Sequence, residues 1–287
     1  MATLLDSAVP PTAEQIAAAK ALYPDLRGWM GYVPNWGNPY KAPGSAGWQP
    51  ADVQRVLEAG LGFFPLLVPE NGNPASTPPG EVGWVQAVGF ARNLVEAAGG
   101  QFAGCGLDVE ASWANQYGAA WRDRVVLLKA GAAADSSKAA VYGPPSWLQT
   151  LASLGGSAPD AVIAAEWPDG AAAPSPVPSS PMPIPNLPSD LWDTPGQRAW
   201  QYQGGHELGT TGLQVDCSVI DDAFPLSFLP PPAPAPAPEP TPAPEPAPEP
   251  SSGPQVLTPG QWQIPAGTYT LPAGVKITIP ALTITIP

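Results

Sequence analysis

Up to residue 229 the chain alternates between two hydrophobic periods. Short apolar runs closed by Gly, Pro or an acid predict strands at residues 3–8, 27–33, 61–68, 104–110, 139–143, 161–167, 198–204 and 213–219. Between most of them, apolar positions recur every three to four residues, which predicts helices. TAEQIAAAKALY opens on Thr12 as its cap, with Glu14 in the first turn. QPADVQRVLEAG stops at Gly60 and EVGWVQAVGFARNLVEAAGG at a Gly pair; GAAWRDRVVLLKAGAAA and PSWLQTLASLGG behave alike. The alternation weakens late. Residues 168–190, rich in Pro, Ser and Ala, predict a long loop, and only a short turn separates the last two strands.

Eight strands joined by crossovers predict an α/β fold, a (β/α)8 TIM-like barrel of parallel strands with irregular last helices. A doubly wound open sheet is the alternative. The barrel is preferred because of where the special residues fall. Asp6, Asp108, Glu110, Glu166, Trp167, Tyr202 and Asp216 lie at or near predicted strand ends, which a barrel gathers on one face.

The periodicity breaks at residue 230. PPPAPAPAPEPTPAPEPAPEP carries neither period and predicts a polyproline II spacer rising about 3.1 Å per residue. The expected division is a barrel at 1–229, a linker at 230–254 and a strand-rich tail at 255–287. The tail alternates β-branched and polar residues between Pro-Ala-Gly turns and is too short for a core of its own. Its strand edges call for a partner and suit attachment or oligomerisation.

Charge narrows the partners. Net charge is −13, which argues against nucleic acid and against anionic lipid. No stretch reaches the ~18 apolar residues of a membrane span. The N-terminus lacks the basic start and apolar run of a signal peptide, so action outside the producing cell implies release at lysis or carriage on a virus particle. No metal or cofactor is expected. Two Cys and one His, His206 in a Gly-rich turn, are too few for a zinc site, and no stretch has calcium-loop spacing.

The candidate chemistry lies in GCGLDVEASW. Side chains two apart on a strand share a face, so Asp108 and Glu110 both point into a barrel mouth. Asp6 and Asp216 arrive from the first and last strands, which are neighbours once a barrel closes. Four carboxylates around one cavity repel one another, and at least one keeps its proton near neutral pH. A protonated acid beside ionised ones is what glycosidic cleavage requires. The bland alternative is a pair of solvated acids, or acids paired with Arg122 and Arg124.

Aromatic side chains fit a sugar ligand, because an indole offers a broad apolar face and one N–H. Trp36, Trp48, Trp113, Trp167 and Trp192 fall in or beside loops after strand ends, and Tyr32, Tyr142 and Tyr202 end strands. Of these, Trp36, Trp113, Trp167, Tyr32, Tyr142 and Tyr202, with Glu166, are the expected substrate-binding residues. Packing is the competing role for each. Cys105 and Cys217 alternate out of phase with the acids, on strands four and eight, which predicts two free, buried, outward-facing thiols.

LLDSAVPPTAEQ, GLDVE, AWQYQ and LQVDCSVIDDAF occur in the order found in glycoside hydrolase family 25, the lysozyme-like muramidases, which residues 3–226 resemble. The same stretch resembles still more the glycoside-hydrolase-like family called domain of unknown function 1906, related in fold and common in actinobacteria and their phages. The resemblance implies a peptidoglycan-directed hydrolase. Glu110 would be the general acid, Asp108 its partner at the N-acetyl group and developing cation, and Asp6 and Asp216 the rest of an acidic floor. Ser218 stands where the family-25 pattern carries Asn. The expected protein is a phage-encoded endolysin or virion-associated enzyme. Its partner is bacterial cell-wall glycan, and its tail engages phage structural proteins or other copies of itself. The alternatives are a non-catalytic glycan-binding barrel displayed on a phage particle and a structural fibre or decoration protein with an inactive barrel.

Overall fold

The computed structural model describes residues 2–33, 47–68, 74, 80–109, 111–153, 158–166 and 197–231, with backbone alone for 111–118, and the backbone of four short strands between 261 and 285. Glu110, Trp36, Trp167, Trp192, the expected loop at 168–190 and nearly all of the linker lie outside the described residues, as does the Trp113 side chain.

Eight strands close a barrel in chain order: β1 (Ala2–Asp6), β2 (Leu26–Tyr32), β3 (Gly62–Leu67), β4 (Gly104–Asp108), β5 (Lys138–Gly143), β6 (Ala161–Ala165), β7 (Arg198–Glu207) and β8 (Gln214–Ile220). The expected TIM-like barrel is present. Helices α1 (Ala13–Leu22), α2 (Pro50–Glu58), α3 (Glu81–Ala97), α4 (Ala111–Ala134) and α5 (Pro145–Ser153) lie between the first six strands. Thr12 caps α1 as expected. Its hydroxyl accepts from Gln15 N (3.2 Å), and Gln15 Oε1 accepts from Thr12 N (2.8 Å).

One direction differs from expectation. Strands β1 to β7 run parallel, but β8 is antiparallel to both β7 and β1. A parallel crossover needs about a dozen residues or more. Only residues 208–213 separate β7 from β8, so the chain doubles back as a hairpin.

Alternation sorts each strand into an inner and an outer set. Leu4, Met30, Phe64, Leu66, Ala140, Ile163, Ala199 and Ile220 fill the barrel. Leu5, Trp29, Phe63, Leu67, Leu107, Val141, Val162 and Val219 face outward in the second core, which includes apolar residues of the helices. Each fully buried large side chain contributes about 1.5–3 kcal/mol. Gly106 makes room inside: a Cβ there would stand 2.8 Å from Leu66 Cδ2 and 2.9 Å from Phe64 Cε1.

The reversed last strand delivers the chain to the end of the barrel where the parallel strands begin. Residues 221–229 then cross that end as a floor. Phe224 and Leu226 enter the inner core. Ser227 and Phe63 exchange backbone hydrogen bonds (2.8 and 2.9 Å), and Gln101 N donates to Phe228 O (2.8 Å). Arg198 Nε and Nη2 donate to Asp221 Oδ2 and Oδ1 (2.6 and 3.3 Å), locking the start of β7 to the end of β8.

Cys105 and Cys217 are free, buried and outward-facing, as their positions predicted. Burial pushes each thiol up to about 12. Among the described residues no helix is long and apolar enough to cross a membrane. The chain divides into two compact units, residues 1–232 and 233–287. In the second, β9 (Gln261–Ile264) pairs antiparallel with β12 (Leu282–Thr285), and β10 (Gly267–Thr270) with β11 (Lys276–Ile279).

Trp48 is fully buried, with its indole lying directly against Gly31. A Cβ on Gly31 would meet Cε2 of that ring at 2.3 Å. The ring has no flexible end to yield, so overpacking follows. Gly31→Ala is expected to lower unfolding stability by about 2–3 kcal/mol, read as a lower denaturation midpoint with unchanged slope. An unchanged midpoint would remove Trp48 as an anchor of the fold.

Candidate active site

The strand ends deliver three of the four expected acids to one face. Asp6 ends β1 and Asp108 ends β4; they are 5% and 4% exposed, inside a barrel whose filling is largely apolar. Asp216 lies near the beginning of β8, not at its end. Because β8 runs backward, that beginning stands at the mouth, and Asp216 is the direct cross-strand partner of Asp6. Direct antiparallel partners have Cα atoms about 4.5–5.5 Å apart. Asp108 is the register partner of Tyr142 on β5.

The chain just after Asp6 is held by two indoles. Trp29 Nε1 donates to Ser7 Oγ (2.9 Å) and Trp48 Nε1 to Ser7 O (3.2 Å), while Ser7 Oγ donates to Val9 O (2.8 Å). Trp48 is therefore a buried brace of the mouth and presents no open face to a sugar ring.

Gln201, fully buried on β7, joins the two sides of the mouth. Its Oε1 accepts from the Tyr142 hydroxyl (2.8 Å). Its Nε2 donates to Asp6 Oδ2 (3.0 Å) and Asp216 Oδ2 (3.4 Å). The other oxygen of Asp216 accepts from the backbone N–H of Gly205. Gly205 has φ +62, a left-handed conformation that favours glycine, in a stretch of β7 where the pairing register with β8 slips. That slip folds the backbone over the carboxylate. Burial pushes the Asp216 carboxyl above its ordinary range; the Gly205 N–H pulls it down and is outweighed.

The expected sugar-binding residues divide. Tyr142 faces the interior, and Tyr32 packs partly buried against the inner core. Tyr202 does not reach the mouth. It faces outward in the helix-covered core, its ring tilted against Trp200 with centroids 5.8 Å apart, and is hydrogen-bonded to Cys217. Glu166 directly follows β6, and alternation turns it away from the inward set of Ala161, Ile163 and Ala165. Its backbone N–H donates to Gln201 O (3.0 Å) and its carbonyl accepts from Trp200 Nε1 (3.0 Å). No group of three or more ligating side chains that could hold a metal occurs among the described residues.

Gln201, Gly205 and Ser7 are the site residues that sequence reasoning missed. Gln201 carried a signal. In RAWQYQ the period-two alternation sets Ala199 and Gln201 on one side and Trp200 and Tyr202 on the other. A Gln on the inner face of a barrel strand is a buried amide that needs partners. Ser7 and Gly205 act through contacts that no local pattern encodes.

No known family model matches the chain, and no curated protein matches it. Several solved structures are similar, two of them at a TM-score of 0.50. One is a Tat-secreted protein of Mycobacterium tuberculosis in complex with L-tartrate: TM-score 0.50, 18% identity, covering 78% of this chain and 98% of the other. The second is a glycosyl hydrolase 25 of Streptococcus pneumoniae, a virulence factor participating in host cell invasion: TM-score 0.50, 14% identity, covering 77% and 87%. What is shared is the barrel. The likeness spans nearly all of each neighbour.

The raised Asp216 carboxyl makes a stability prediction. As pH climbs past 3.8, the unfolded chain releases this proton before the folded one does. Folding therefore loses stability until the folded group ionises too. Asp216→Asn removes that loss. Its melting temperature relative to wild type is expected to rise from pH 4 to pH 7, read by thermal scans across that range. A difference that stays constant or falls would contradict the burial argument.

Proposed function

We propose that the barrel is a lysozyme-like glycoside hydrolase acting on bacterial cell-wall glycan. The observation that carries this reading is the convergence of Asp6, Asp108 and Asp216 at one mouth, with Asp6 and Asp216 sharing a single amide donor. In this reading Glu110, two residues beyond Asp108, is the general acid that protonates the leaving oxygen. Asp108 stabilises the developing cation or orients the substrate's own N-acetyl group as nucleophile. Tyr142 and Tyr32 contact the sugar near the acids, and Trp36, Trp113 and Trp167 supply stacking faces around the mouth. The shared barrel of a glycosyl hydrolase 25 supports the fold half of the argument.

The wider role belongs to the same proposal. A phage-encoded endolysin or virion-associated enzyme would use residues 230–254 as a spacer and residues 255–287 to attach to a particle, the wall or another copy. A second reading is a non-catalytic glycan-binding barrel displayed on a phage particle. It is favoured by Ser218, which stands where the family-25 pattern carries Asn. Ser218 is fully buried between its register partners Leu4 and Gln201.

Muropeptide release from purified actinobacterial cell walls tests both readings. Wild type is expected to release soluble fragments, with Glu110→Gln slower by about 10²–10⁴-fold, the usual worth of general acid catalysis. Equal release by both proteins would remove Glu110 from the chemistry. Wall binding without release by either would favour the displayed glycan-binding barrel.

A further inference from the structure

The Asp6–Asp216 pair depends on one side chain that the proposed chemistry does not itself use. An amide nitrogen carries two hydrogens, and Gln201 Nε2 aims one at each carboxylate. Its orientation is locked from behind, because the Tyr142 hydroxyl donates to Oε1. Flipped, the amide would turn its oxygen toward two carboxylates and its nitrogen toward the Tyr142 hydroxyl. Gln201 is fully buried and its amide has little room to move.

We infer that Gln201 is the positioning residue of this site: it holds the Asp6 and Asp216 carboxylates in one orientation and keeps the pair ionisable. Two adjacent buried acids disfavour the doubly ionised state, while N–H donors to the charged form favour it. Gln201 supplies such a donor to both acids at once, and Gly205 N–H supplies a second to Asp216 alone. Without Gln201 the pair retains a proton to higher pH, and both side chains lose the contact they share.

Other titratable groups surround the pair among the described residues. Facing the pair are Asp108 on β4, Tyr142 on β5 and Tyr32 at the end of β2. On the outer side of β8, Cys217 packs against Tyr23 (3.3 Å) and Tyr202. His206 lies farther along β7, paired in register with Val215. The arginines on the strands, Arg27 and Arg198, are engaged by Asp222 (3.6 Å) and Asp221 (2.6 Å) at the opposite end of the barrel.

The consequence for wall cleavage rests on the proposed hydrolase reading, but the test does not. Carboxyl carbon NMR of protein labelled at Asp follows the titration of both acids directly, whether or not the barrel cleaves anything. In Gln201→Met the higher apparent pKa of the pair is expected to rise by about one pH unit. In Tyr142→Phe, which frees the amide to turn, it is expected to rise by less. Unmoved titrations in both variants overturn the assignment. If Gln201→Met fails to fold, Tyr142→Phe decides alone: a rise supports the role and no change ends it. A merely structural Gln201 would lower the melting temperature without moving either carboxyl. A wild type with no wall activity but with these shifts would sink the hydrolase reading and leave the Gln201 role standing.

Discussion

The arrangement depends on a short connection. Residues 208–213 cannot carry a crossover, so the last strand reverses, and several features of the molecule follow from that reversal. It places Asp216 beside Asp6 even though Asp216 lies near the start of its strand. It also delivers the chain to the far end of the barrel, where residues 221–229 cross as a floor and Arg198 is held by Asp221. The acids therefore gather at one end while the chain continues toward its Pro-rich stretch from the other.

The barrel interior bears an electrostatic cost that its packing must accommodate. Asp6 and Asp108 are almost fully buried, and Asp216 is buried enough to hold its proton above the ordinary range. The support of Asp6 and Asp216 is polar and specific: a Gln amide to both and a Gly backbone N–H to Asp216, with Ser7, next to Asp6 in the chain, braced by two indoles. Below this layer the interior is apolar, with Gly106 yielding space to Phe64 and Leu66. A polar layer over an apolar core keeps the acids at the mouth apart from the packing that holds the barrel together.

Much of this was legible in the sequence, for reasons that differ by element. All eight strands were visible because short apolar runs and their Gly, Pro or acid boundaries are legible without tertiary context. Thr12 was legible as a cap because capping is local. The two thiols were placed correctly by alternation alone. The direction of β8 was written in the length of 208–213, yet counting strands and expecting a uniform barrel obscured it. Tyr202 drew attention as an aromatic at a strand end, while alternation in RAWQYQ put Gln201 inside and Tyr202 outside. Trp48 was ambiguous from sequence, because only the close approach of Gly31 distinguishes a buried brace from an open stacking face.

Paired cysteine substitutions test the reversed strand and the acid pair together. In a background of Cys105→Ala and Cys217→Ala, direct antiparallel partners sit within the Cα range a disulfide spans, about 4.4–6.8 Å. Reversal pairs residue 6 with 216 and residue 2 with 220. Asp6→Cys with Asp216→Cys is therefore expected to close an intramolecular disulfide under mild oxidation, and Asp6→Cys with Ile220→Cys is not, as read by intact mass and free-thiol count. Cross-linking of the second pair and not the first would mean that β8 runs with its neighbours, that Asp216 does not stand beside Asp6, and that this account of the site is wrong.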